Sequence, residues 1–186
     1  MTEIMKLDGE TAAGQFILYW GDMGGQWGVN RSVAQIHALL YLAEDPMNAE
    51  QISDRLGIAR SNVSNSLKEL VAWQLIRRVP LSGDRREHYV AEVDVWEMAM
   101  RIAQGRRTRE VDPAVLALRE CVALAEAEKN GDPIVLARLH AMQDFLTTTT
   151  SWYDQMLRVP KAQLVTLMGL GDKVIKLLRL TGRKEK

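Results

Sequence analysis

The stretch Asn48 to Val90, NAEQISDRLGIARSNVSNSLKELVAWQLIRRVPLSGDRREHYV, constrains the fold more than any other part of the chain. It opens with a short helix whose two ends are both marked. Asn48, with Gln51 three residues on, forms a box-like N-terminal cap, and Gly57 is a stop signal. Ile52 and Leu56 fall on one face, Glu50 lies in the first turn and Arg55 in the last, as the helix dipole prefers. So short a helix cannot bury an apolar face alone, and the chain must supply a partner.

That partner follows the break Gly57-Ile58-Ala59. Between Ser61 and Trp73, Val63, Leu67 and Leu70 form a core stripe at helical spacing, while Ser61, Ser64, Asn65 and Lys68 occupy the opposite face with Asn62 at its margin. A major groove about 12 Å wide admits one helix, and Asn, Ser, Arg and Lys side chains read its base edges. An ordinary solvated face is the plain alternative, but such faces usually carry Glu/Lys pairs, and this one has no acid up to Lys68.

A hairpin comes next. Leu75 to Val79 reads as a strand, Pro80 to Arg86 as a turn and Glu87 to Val90 as a returning strand. From Ala59 to Val90, six cations (Arg60, Lys68, Arg77, Arg78, Arg85, Arg86) face three acids (Glu69, Asp84, Glu87), a local net of +3. The whole chain carries 24 basic and 24 acidic residues, so this positive charge is local. Zero net charge argues against unselective coating of nucleic acid and is compatible with a dimer presenting two basic patches.

Helix, break, polar helix and basic hairpin in this order resemble the MarR superfamily, and Trp27-Gly28-Val29-Asn30-Arg31-Ser32 with Gly57-Ile58 and Asn62 to Leu67 is similar to its GbsR-type branch. The resemblance implies a mainly α fold: a winged helix-turn-helix with a small β-hairpin wing and N- and C-terminal dimerisation helices. Asp84 and Arg86 match the Asp-x-Arg of such wings, which implies that Arg86 reaches a minor groove while Asp84 orients it. The residues assigned to DNA are Arg60, Ser61, Asn62, Ser64, Asn65, Lys68, Arg85 and Arg86. The chain departs from the pattern at Ala59, where the family usually has Ser or Thr; replacing such a cap by Ala costs on the order of 1 kcal/mol. Ser61 is an alternative cap that would start the helix two residues later and change which residues face the bases.

The resemblance further implies that some members sense osmoprotectants such as choline or glycine betaine. Aromatic cages suit quaternary ammonium groups, and Tyr19, Trp20, Trp27, Trp96, Trp152 and Tyr153 qualify by type alone. Core packing is the commoner role of such residues, so no ligand residue is assigned and no cofactor is expected.

Upstream, Gly9 to Trp20 reads as a helix ending at Gly21, and the glycines from Gly21 to Gly28 read as a turn that matches no phosphate-binding loop. Two roles stay open for this helix: helping to form a dimer, as the resemblance implies, or packing on its own wing domain. Ser32 and Gln35 offer a capping box for a helix to about Ala43, closed off by Pro46.

Downstream, Asp94 caps a helix to about Arg107, whose basic end (Arg101, Arg106, Arg107, Arg109) suits either flanking phosphates or a solvated linker. Asp112-Pro113 and Asp132-Pro133 announce two more helices, with Asn130-Gly131 as the stop between them. Their apolar stripes run over Val115, Leu118, Val122 and Leu124, and over Val135, Leu139, Met142, Phe145, Trp152 and Met156. Pro160 starts a last helix that Gly169 and Gly171 break or kink, and a basic tail runs from Arg179 to Lys186.

The organisation expected is an arm over 1–29, a DNA-binding domain over 30–93 and a helical dimerisation region over 94–186. The wing domain does not need the downstream stripes for its own core. A second subunit does, because operator half-sites lie about 34–36 Å apart and a two-fold dimer must hold two recognition helices at that spacing.

No apolar run reaches the ~18 residues of a membrane span, and Met1 to Lys6 has no signal-peptide core, so a cytoplasmic protein without membrane partners is expected. The single cysteine, Cys121, lies in an apolar stretch and reads as a buried thiol; His37, His88 and His140 make no metal-ligand spacing. No nucleophile–base–acid set is present, so the chain does not read as an enzyme. The function expected is a sequence-specific transcriptional regulator, a repressor on this reading, that grips double-stranded DNA as a homodimer and answers to a small-molecule effector. A winged-helix protein–protein interaction module is the alternative, since fold alone does not decide.

Overall fold

In the computed structural model, residues 9–129 and 131–171 are described, and the chain divides after Gly105 into two compact units. No helix among the described residues is long and apolar enough to cross a membrane.

The first unit begins with α1, Ala12–Gln26, whose N-terminus is capped by Thr11: the Gly14 N–H donates to its Oγ1 at 3.1 Å. The helix runs straight through Gly21, Gly24 and Gly25, which corrects the expected stop at Gly21 and the turn after it. The reason is packing. A Cβ at Gly21 would come within 2.5 Å of Gln35 Cγ, and one at Gly24 within 2.6 Å of Ala34 Cβ, so these glycines let α1 approach α2, Arg31–Leu42, closely. Thus α1 packs within its own unit, with Ile17 in the core. Helix α2 begins one residue before Ser32, because Asn30 caps it: the Ser32 N–H donates to Asn30 Oδ1 at 2.8 Å. The Ser32–Gln35 box is not used.

Strand β1, Met47–Asn48, is too short to show a two-residue alternation and was not expected from the sequence. It leads into α3, Ala49–Leu56, where the capping box of Asn48 and Gln51 is fully formed and Gly57 terminates the helix at φ 64°. Helix α4, Arg60–Ala72, follows with Ala59 at its N-cap and no side-chain cap bond. Ser61 is therefore inside the helix, and of the two starting points the earlier one holds.

Strands β2, Ile76–Leu81, and β3, Asp84–Ala91, form the hairpin, and the sheet order is β1-β3-β2 with all neighbours antiparallel. The hairpin is longer than expected and its turn shrinks to Ser82-Gly83, with Gly83 at φ 84°. Pro80 lies in β2 because the register shifts between Val79 and Leu81, the kind of irregularity that tolerates a residue without an N–H. Helix α5, Val95–Arg106, is capped by Asp94, whose Oδ1 accepts from the N–H groups of Trp96 and Glu97. Ile36, Ile52, Val63, Leu67, Leu70, Leu75, Tyr89 and Met98 belong to one core drawn from α2 to α5 and the sheet.

The second unit opens with a π-helical turn, Arg107–Val111, that runs directly into α6, Asp112–Ala127. Asp112 and Pro113 thus sit at a change of helical pitch rather than at a fresh start: the Asp112 N–H donates back to the Arg107 carbonyl. Helix α7, Pro133–Arg158, does start as expected, with the Ile134 N–H donating to Asp132 Oδ1 at 2.8 Å, and it packs against α6. The stop expected at Asn130 lies outside the described residues. Helix α8, Lys161–Gly169, ends where its glycines begin, and the basic tail also lies outside the described residues. Cys121 is exposed on α6, which corrects the expected buried thiol: the apolar stretch around it finds little to bury against among the described residues, and Leu124 is exposed on the same helix.

Candidate nucleic-acid interface

Helix α4 is held by its back. Val63, Leu67 and Leu70 are buried in the core, and Ser61, Ser64, Asn65 and Lys68 are exposed on the far side. Asn62 is half-buried, and its Nδ2 donates to Ser32 Oγ at 2.9 Å, which ties α4 to the start of α2. Of the small polar residues assigned to DNA, Asn62 is therefore the one engaged inside its own unit. Arg60, exposed at the first position of α4, bonds Glu50 at the start of α3.

The hairpin presents Arg85 and Arg86, both exposed. Arg86 is gripped by Asp84: its Nε donates to both carboxylate oxygens at 3.0 Å, and its Nη2 donates to Oδ2 at 2.6 Å. The Arg86 N–H also donates to Asp84 Oδ1 at 2.9 Å. These bonds favour the ionised carboxylate and lower the Asp84 pKa to about 2, while Asp84 and Glu50 raise that of Arg86.

Behind them, buried His88 anchors the wing. Its Nδ1 faces the Arg86 carbonyl at 3.0 Å, a position that calls for a donor, so Nε2 is left to accept from Asn48 Nδ2 at 3.4 Å. The same Asn48 caps α3, so wing and helix-turn-helix share one polar hinge.

Glu50 is the residue that sequence reasoning placed only as a dipole partner. Its Oε2 accepts from Arg86 Nη1 at 3.3 Å and its Oε1 accepts from Arg60, across separations of 36 and 10 residues. No local pattern could have revealed it.

Two arginines of the basic run after the wing are engaged by groups of their own unit. Arg101 bonds Glu97, Glu92 and the Gln74 carbonyl, and Arg107 bonds Asp112 and Asp154 and lies 5.6 Å over the Tyr153 ring.

The aromatic candidates scatter: Tyr19, Trp27 and Trp152 are exposed, whereas Trp20 stacks on Phe16 at 5.4 Å. Trp20 lines a largely apolar cavity of about 210 Å³ together with Phe16, His37, Tyr41, Val95 and Met98. His37 is buried there with its Nε2 unpartnered, and desolvation lowers its pKa to about 4, so its ring is neutral at pH 7. Among the described residues no group of three His, Cys, Asp or Glu side chains could hold a metal ion.

A family model described as MarR family matches residues 27–87, which takes in α2, the helix-turn-helix and most of the wing. The chain is 26% identical over 148 residues to the HTH-type transcriptional repressor GbsR of Bacillus subtilis (strain 168), covering 80% of this chain and 77% of that protein. A solved structure of a transcriptional regulator superposes with a TM-score of 0.54 at 17% identity, over 79% of this chain and 96% of the other. That likeness carries the fold.

Proposed function

We propose that this chain is a member of the MarR superfamily, on its GbsR-type branch, and a sequence-specific DNA-binding transcriptional regulator that works as a homodimer. The observation that carries this reading is the pairing of two surfaces. One is an exposed helix face of short polar side chains, free of acids up to Lys68; the other is a hairpin tip bearing two exposed arginines. Both rest on one packed core, so their separation is preset.

On this reading α4 enters a major groove with Ser61, Ser64, Asn65 and Lys68 toward the bases, Arg60 and Asn62 lie at its margin, and Arg85 and Arg86 reach the flanking minor groove. Residues 30–93, with α1 packed on them, act as the DNA-binding part, and the helices after Gly105 as the dimerisation part. Support for the latter comes from the apolar side chains left exposed on α6 and α7, among them Leu116, Leu124, Val135, Met142, Phe145 and Trp152. Large apolar side chains left exposed along two neighbouring helices suit an association face. Repression follows the function named for the Bacillus relative, and a homodimer seated on its operator would repress by blocking polymerase. The reading assigns the chain to binding rather than catalysis.

Selecting bound duplexes from fragmented genomic DNA tests the proposal: a shared inverted repeat with half-sites about one helical turn apart is expected. Recovery of fragments with no common half-site would refute it. Against the selected duplex, Arg86→Ala should weaken binding by about 1–3 kcal/mol in a shift assay, and unchanged affinity would remove the wing from the interface.

A further inference from the structure

Two arginines assigned to DNA share one acid. Glu50 receives Arg60 from α4 on one oxygen and Arg86 from the wing on the other, and Asp84 holds the far side of Arg86. The four side chains Glu50, Asp84, Arg60 and Arg86 sum to zero charge. The local excess of positive charge is therefore cancelled at the two arginines that flank the reading face.

Glu50 is held in place independently of the arginines. It occupies the first turn of α3, where the helix dipole favours an acid, and its N–H donates to Asn48 Oδ1 at 3.0 Å. Its side chain stays 44% exposed, so a phosphate can reach the arginines it holds. Two opposing consequences follow for a duplex. The clamp presets both guanidinium groups, which favours a sequence that accepts them in that geometry. The carboxylate also competes with phosphates and repels the backbone, which penalises loose, purely electrostatic binding that needs no geometry.

We infer that Glu50 is a specificity-determining residue: an internal counter-anion that clamps Arg60 and Arg86 and suppresses binding to arbitrary DNA. The inference rests on the DNA-binding reading above. Of the other acids nearby, Asp84 holds Arg86 from its own strand and does not join it to Arg60. Glu87 pairs with Arg78 across the hairpin and accepts from the Tyr89 hydroxyl, away from both clamped arginines.

The test compares wild type, Glu50→Gln and Glu87→Gln by fluorescence anisotropy on two labelled duplexes: a random-sequence one, and one carrying the half-sites selected by wild type. Glu50→Gln should tighten random-sequence binding about tenfold and steepen its salt dependence by roughly two counterions per dimer. Affinity for the selected duplex should change by no more than about threefold, because the lost presetting offsets the gained charge. Glu87→Gln should move neither. Equal gains on both duplexes, or the same gain in Glu87→Gln, would make Glu50 a generic charge and overturn the inference, as would unchanged or weaker random-sequence binding.

A DNA-free measurement separates this failure from that of the parent reading. The guanidinium Nη–H resonances of Arg60 and Arg86, which carry the bonds to Glu50, should shift between wild type and Glu50→Gln, and unmoved resonances would refute the clamp. Wild type binding neither duplex would instead refute the DNA-binding function itself.

Discussion

The two compact units treat their apolar residues in opposite ways. Up to Gly105, Ile36, Ile52, Val63, Leu67 and Leu70 are all but sealed from water, drawn from three helices that close on one another and on the sheet. From Arg106 onward, Val122 is the one buried hydrophobic residue among those described, while Leu124, Phe145 and Trp152 are each more than 60% exposed. The second unit also has a marked helix start, since Asp132 caps α7 as Asn48 caps α3. What differs is whether an apolar stripe finds its partner inside the chain. Local signals build a helix, and only a complementary face makes it part of a core.

The contrast can be broken or sharpened by measurement. Leu67→Ala removes a side chain that is 2% exposed and should destabilise the first unit by about 2–5 kcal/mol in denaturant unfolding. A loss below about 1 kcal/mol would mean that this core is not closed. Leu124→Ala, at 68% exposure, should cost the folded subunit far less.

Next in size is the effect of acid on the first unit. His37 is buried, and its pKa is lowered from 6.5 to about 4, so below pH 6.5 the unfolded chain binds a proton that the folded one refuses. Stability is complete above about pH 6.5 and falls as the pH drops toward 4, with a total near 3 kcal/mol at 1.36 kcal/mol per unit. His37→Leu should flatten that part of the stability–pH profile relative to wild type. A parallel profile would show that His37 is not the group responsible.

The smallest effect on folding, and the most telling for the second unit, is expected from Phe145→Ser. It should leave subunit unfolding within about 0.5 kcal/mol yet shift sedimentation from dimer toward monomer. A dimer undisturbed by this change would place the association face elsewhere.

Much of the fold was legible because it is local. The box of Asn48 and Gln51, the left-handed Gly57, the Asp94 and Asp132 caps and the Val63–Leu67–Leu70 stripe each need only a few neighbouring residues to be recognised. The misreadings share a cause as well. Glycine reads as a breaker until α2 lies 2.5 Å from where a Cβ would stand at Gly21. Ser32 reads as a cap until Asn30 caps in its place and Ser32 accepts from Asn62, 30 residues away. Arg101 and Arg107 read as free cations until acids arrive from other turns. Of the candidate site, the outward face of α4 and the Asp84–Arg86 pair were in plain view, while the Glu50 clamp was not.

The amino-acid order alone therefore determined the capped starts of α3, α5 and α7 and the stop of α3, which edge of α4 turns inward and where positive charge gathers, because caps, periodicity and charge act within one or two turns. The folded chain decided how closely α1 lies on α2, that Ala59 rather than Ser61 heads α4, and that one carboxylate joins two distant arginines. Those outcomes depend on surfaces meeting across tens of residues, where steric fit and through-space electrostatics, not sequence neighbours, set the energy.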